Sequence, residues 1–99
     1  MNQDETPTPK QSGSYAMMQG VCEESLRSLE RWRVRASADS PAKWLEVRRF
    51  AERFAVLLAD VKSWAETPPP AEAKARTIES ILAARTEATA WGARWGWEL

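Results

Sequence analysis

Tryptophan and arginine are the residues of this chain best equipped for recognition chemistry. Six tryptophans stand among 99 residues, and ten of the fourteen basic side chains are arginine. The pairing is the composition of a protein-interface hot spot. It is also typical of surfaces that stack bases and grip phosphates. The spacing is uneven. From Arg27 to Arg53 there are eight basic residues (27, 31, 33, 35, 43, 48, 49, 53) and four acidic ones (30, 39, 46, 52), a balance of +4. The remainder, six basic against ten acidic, carries −4, so a net charge of zero conceals a polarity. Trp32 and Trp44 lie within the basic interval. Trp95 and Trp97 lie in a glycine-punctuated segment, Gly92-Ala93-Arg94-Trp95-Gly96-Trp97.

Other chemistries find little to work with. Without histidine there is no Ser/His/Asp or Cys/His nucleophile arrangement and no histidine-containing metal site. One cysteine, Cys22, permits neither an internal disulfide nor a thiolate zinc cage, in keeping with a reducing, cytoplasmic setting. The carboxylates are scattered, and adjacent Glu23 and Glu24 point in different directions on a helix, so no acid/base pair is set up on an apolar face. No P-loop or GxGxxG turn is present, and Gly92 and Gly96 follow no strand pattern. No cofactor, no metal and no enzymatic activity are expected. The longest apolar run, Phe54 to Ala59, is far below the roughly 20 residues of a membrane span. Residues Met1-Asn2-Gln3-Asp4-Glu5 are polar and acidic, unlike a secretory or transit signal.

These residues must be positioned by helices. Residues 1–13 hold nothing apolar after Met1 and read as a disordered leader, leaving 14–99 as a single domain. In the first helix Tyr15, Met18, Cys22, Ser25, Leu29, Trp32 and Ala36 step by three and four and form an inner stripe. Cys22 is thereby a small core residue. Ser40 before Pro41 is an N-cap followed by proline at the first helical position. The second helix is predicted from Pro41 to Glu66, with a broad apolar face that includes Trp44, Val47, Phe50, Phe54, Leu57, Leu58, Val61 and Trp64. Pro68-Pro69-Pro70 makes a rigid corner. The third helix has Ala71, Ile78, Ile81, Leu82, Arg85, Ala88, Trp91 and Trp95 on its inner side, with Arg85 expected to extend outward to solvent. Gly92 and Gly96 are expected to weaken its last turns, with fraying near Trp95.

Short connections between three helices predict an all-α, elongated, antiparallel up-down-up three-helix bundle. Its helices, each about 35–40 Å long, leave apolar side surface such as Leu45 and Val56, so self-association is expected. The topology carries the third helix back to the basic end. There Trp32, Arg33, Arg35, Trp44, Arg48, Arg94, Trp95 and Trp97 form the candidate partner-binding site. The pairs Glu23/Arg27, Glu46/Arg49 and Arg48/Glu52 stand at ion-pair spacing, and Arg48, Arg49 and Arg53 form no single stripe.

The expected function is a non-enzymatic helical module that binds a larger protein. In size and composition the chain is of the kind used as adaptors, or as inhibitors carried by phages or plasmids. The alternative is a small subunit touching a nucleic-acid backbone inside a nucleoprotein complex. Zero net charge and scattered arginines count against autonomous nucleic-acid binding. Mixed acidic and basic residues on every polar face count against a membrane surface.

Overall fold

The computed structural model describes residues 7–99, with side chains from Tyr15 onward. It is all-helical: α1 (Pro7–Asp39), α2 (Pro41–Ser63) and α3 (Ala71–Ala93) run in turn up, down and up. Of the leader expected over residues 1–13, residues 1–6 lie outside the described residues, and 7–13 form the start of α1. The bundle measures 56 × 21 × 18 Å with a radius of gyration of 15.9 Å, against about 13 Å for a compact domain of this length. Elongation follows from helix length, since α1 alone has 33 residues.

The α1–α2 corner is a single non-helical residue, Ser40, held as the sequence predicts. Its backbone is extended (φ −159°, ψ 144°), and its Oγ accepts the Lys43 amide at 3.1 Å with Pro41 as the first helical residue. A corner this tight lays α1 and α2 against each other along their lengths. Met18, Cys22, Ser25, Leu29, Trp32 and Ala36 are all buried, and they meet Val47, Phe54 and Val61. α2 ends at Ser63, three residues before the predicted Glu66, because the chain turns at Trp64 and tucks that ring into the core.

α3 is rotated relative to its predicted face. Ile81, Ala84 and Ala88 are buried at i, i+3 and i+7, whereas Leu82 and Ala71 are exposed. Arg85 does not extend freely into solvent as expected: it reaches across to α1 and donates to Ser25 Oγ at 3.1 Å. That bond satisfies a hydroxyl with no exposed surface, which would otherwise be costly to bury.

Leu45 and Val56 are exposed, as predicted, together with Met17, Val34 and Leu82. Burial and neighbouring Glu23 push the Cys22 thiol above its ordinary range, so it stays protonated at neutral pH. Native protein should therefore leave Cys22 unreacted with an aromatic disulfide reagent at pH 7.5, and urea should release one thiol per chain. Rapid native labelling would show that the α1 stripe does not face the core. No described helix is long and apolar enough to cross a membrane.

Candidate functional site

The end of the bundle at the first corner is built from three local structures. The first is the Ser40 cap, which fixes Lys43 and Trp44 in the opening turn of α2. The second is the arrival of α3, which brings Trp91 beside Trp32 (ring centroids 5.9 Å apart) and edge-on to Phe50 (5.7 Å). The third is the way the chain leaves α3. Gly96 has φ +74°, a left-handed conformation that glycine adopts without penalty. Its amide donates to Ala93 O at 3.3 Å and the Trp97 amide to Gly92 O at 2.9 Å, the two bonds of a Schellman cap.

Beyond that cap, residues 97–99 turn back along α1 as a hook. Trp32 Nε1 donates to Glu98 O at 3.0 Å, and Ser28 Oγ donates to Leu99 O at 2.9 Å. The Trp97 ring lies 5.9 Å from Trp32 and 5.8 Å from Trp91. The expected fraying near Trp95 is thus replaced by a capped and docked segment. Gly92 is buried because Trp32 and the hook press against its bare α-carbon. A Cβ there would stand 2.4 Å from Trp32 Cη2 and 2.8 Å from Trp97 O.

The tryptophans expected at this end divide by exposure. Trp32, at 2% exposed, is the floor of the cluster and offers no surface to a partner. Trp97 is half-buried as packing on that floor. Trp95 is 42% exposed, set edge-on to Trp91 at 6.1 Å, with the Lys43 ammonium 3.7 Å from its ring centroid. Lys43 also pairs with Asp39 across the corner. Trp44 is half-buried with the Arg48 guanidinium 5.5 Å from its ring centroid. Both arrangements satisfy the geometry of a cation–π contact.

The arginines divide as well. Arg33 is engaged by Glu30, whose carboxyl is held below its ordinary range by the hydrogen bond from that guanidinium. Arg48 is engaged by Glu52 at 3.1 Å, and Arg49 lies 3.9 Å from Glu46. The predicted Glu23/Arg27 pair does not form; Glu23 accepts from Gln19 instead, at 3.1 Å. Arg94 is exposed at the end of α3. Arg35 lines a cleft of about 260 Å³ with Arg31, Trp32, Gly96 and Glu98.

Sequence reasoning places Arg31 and Lys43 in the basic interval of this end but not among its partner-binding residues, and it misses Glu98. Lys43 was legible as an N3 residue beside Trp44, but its seat over Trp95 depends on where α3 stops. Among the described residues no group of three or more His, Cys, Asp or Glu side chains is placed to hold a metal ion. Comparison of the chain with protein-family models, curated proteins and solved structures finds no match.

Proposed function

We propose that the chain is a non-enzymatic docking module that engages a larger protein through its tryptophan-rich end. The observation that carries this reading is Trp95: a large ring left 42% exposed, packed on Trp91 and Lys43 and next in the chain to the Gly96 turn. A fixed, half-exposed tryptophan loses little conformational freedom when a partner covers it, the property that concentrates binding energy in such rings. Trp44 with its Arg48, and the exposed Arg35 and Arg94, are the further residues of this end assigned to the docking surface. Trp91, the ring against which Trp95 is set, is itself packed on Trp32 and Trp97.

The reading is tested with the partner recovered by affinity pull-down from the native host. Trp95→Ala should weaken binding about 30-fold, about 2 kcal/mol, by titration calorimetry. Folding stability should fall by about 1 kcal/mol or less, since only the edge contact and the Lys43 contact are lost. Unchanged affinity would reject the site. Tight, steeply salt-dependent binding to generic DNA or RNA would instead favour a backbone-contacting subunit of a nucleoprotein complex.

A further inference from the structure

The positive charge of the corner end is neutralised on α2, and on α1 only Arg33 is paired, with Glu30. On α2, Arg48, Arg49 and Arg53 each have a carboxylate within 4 Å, from Glu52, Glu46 and Glu87. On α1, Arg27, Arg31 and Arg35 have none among the described residues, and all three are exposed. They stand at i, i+4 and i+8, which places them on one side of α1 about 6 Å apart along its axis. Val34, 62% exposed, shares that side.

The row is anchored at its centre. Arg31 Nη2 donates to Ser28 Oγ at 3.0 Å, and that hydroxyl donates onward to Leu99 O, so the hook fixes the guanidinium's direction. Arg31 and Arg35 then form one wall of the 260 Å³ cleft, with Gly96 and Glu98 opposite. Glu98 contributes its backbone carbonyl to Trp32, but its carboxylate forms no ion pair with either arginine. The cleft therefore holds two cations and one anion, with room for a second carboxylate.

We infer that Arg27, Arg31 and Arg35 are the electrostatic part of the docking site and take carboxylates from an acidic, partly apolar segment of the partner protein. One carboxylate enters the Arg31/Arg35 cleft and an apolar side chain meets Val34. This deepens the docking function proposed above and rests on it. A nucleic-acid backbone is the poorer fit. Three cations over little more than two helical turns, faced by the Glu98 carboxylate, give no continuous phosphate track, whereas isolated carboxylates about 6 Å apart match bidentate guanidinium forks.

The test is fluorescence anisotropy with an about 20-residue labelled helical peptide carrying glutamate at every fourth position among alanine and leucine. Its glutamine counterpart and an oligothymidylate of similar length are the comparisons, each at low and physiological salt. Wild type should bind the glutamate peptide about tenfold more tightly than the glutamine one. Arg27→Glu with Arg35→Glu, which leaves the hook bonds intact, should lose about tenfold. Arg49→Glu with Arg76→Glu, the same change in charge elsewhere, should lose less than about threefold. Glu98→Gln should tighten binding about two- to threefold by removing the competing carboxylate. Circular dichroism confirms that each variant is folded.

Equal binding of the two peptides, equal loss in both double variants, or preference for oligothymidylate would overturn the inference. Failure here is separable from failure of the docking site. A native partner that responds to Trp95→Ala but not to the Arg27/Arg35 change would retain the site and reject the acidic segment.

Discussion

Trp32→Ala should destabilise the protein by about 4 kcal/mol, as large-to-small changes of a fully packed aromatic do. The ring joins α3 and the hook to α1: it lies tilted against Trp91 and Trp97, presses on Gly92, and donates Nε1 to Glu98 O. Alanine leaves a cavity that the surrounding helices cannot close. It also frees the Glu98 carbonyl and removes the surface against which Trp97 lies. Domains of this size have about 5–15 kcal/mol in total, so much of the margin goes. Urea unfolding followed by circular dichroism reads the loss. Trp32→Phe separates the contributions, since it keeps most of the apolar contact and removes the donor; a loss of about 1–2 kcal/mol is expected. A loss below about 1 kcal/mol for alanine would show that the ring is not core.

Gly92→Ala should also destabilise, by about 3 kcal/mol, although the same change in an ordinary helix stabilises by about 1 kcal/mol. The sign reverses because the added Cβ would lie 2.4 Å and 2.7 Å from two carbons of the Trp32 ring and 2.8 Å from Trp97 O. The ring cannot retreat, being enclosed by Trp91 and Trp97. The hook must lift, which breaks the Trp32–Glu98 and Ser28–Leu99 hydrogen bonds. Gly20 is the control, since a Cβ there meets nothing within 4 Å and Gly20→Ala should stabilise by about 1 kcal/mol. Opposite signs for the two glycines, measured in the same denaturant series, are the expected result. Stabilisation by both would mean that the hook does not dock on α1.

The two predictions together locate the stability of the candidate site in its support. Trp95→Ala is expected to leave folding nearly unchanged, whereas Trp32→Ala and Gly92→Ala are expected to cost about 3–4 kcal/mol. The arrangement suits a docking end: packing holds the exposed ring in one orientation, and the ring itself contributes little to the fold.

By itself the sequence determines the helices and their order. The stripe from Met18 to Ala36 is legible because a period of 3.6 residues is a property of one segment. The α1–α2 corner is legible because the Ser40 cap closes within three residues and Pro41 presets its backbone. Three such helices with short corners have one economical arrangement, so the elongated bundle and its basic end follow. The candidate site is only partly legible. That Trp32 turns inward can be read from its stripe, but the placement of Trp97 depends on the positive φ of Gly96 and on a surface offered by α1. Gly92 reads as a weakness in α3 and is a contact. Arg85, Leu82 and Ala84 depend on how far α3 rotates about its own axis, and the pattern of α3 alone tolerates several rotations. The bonds that decide these questions join residues 60, 66 and 71 positions apart, from Arg85 to Ser25, Trp32 to Glu98 and Ser28 to Leu99. Such separations carry no periodic or capping signal. Only packing, which selects the rotation that fills the core and satisfies its buried hydroxyls, brings the partners together.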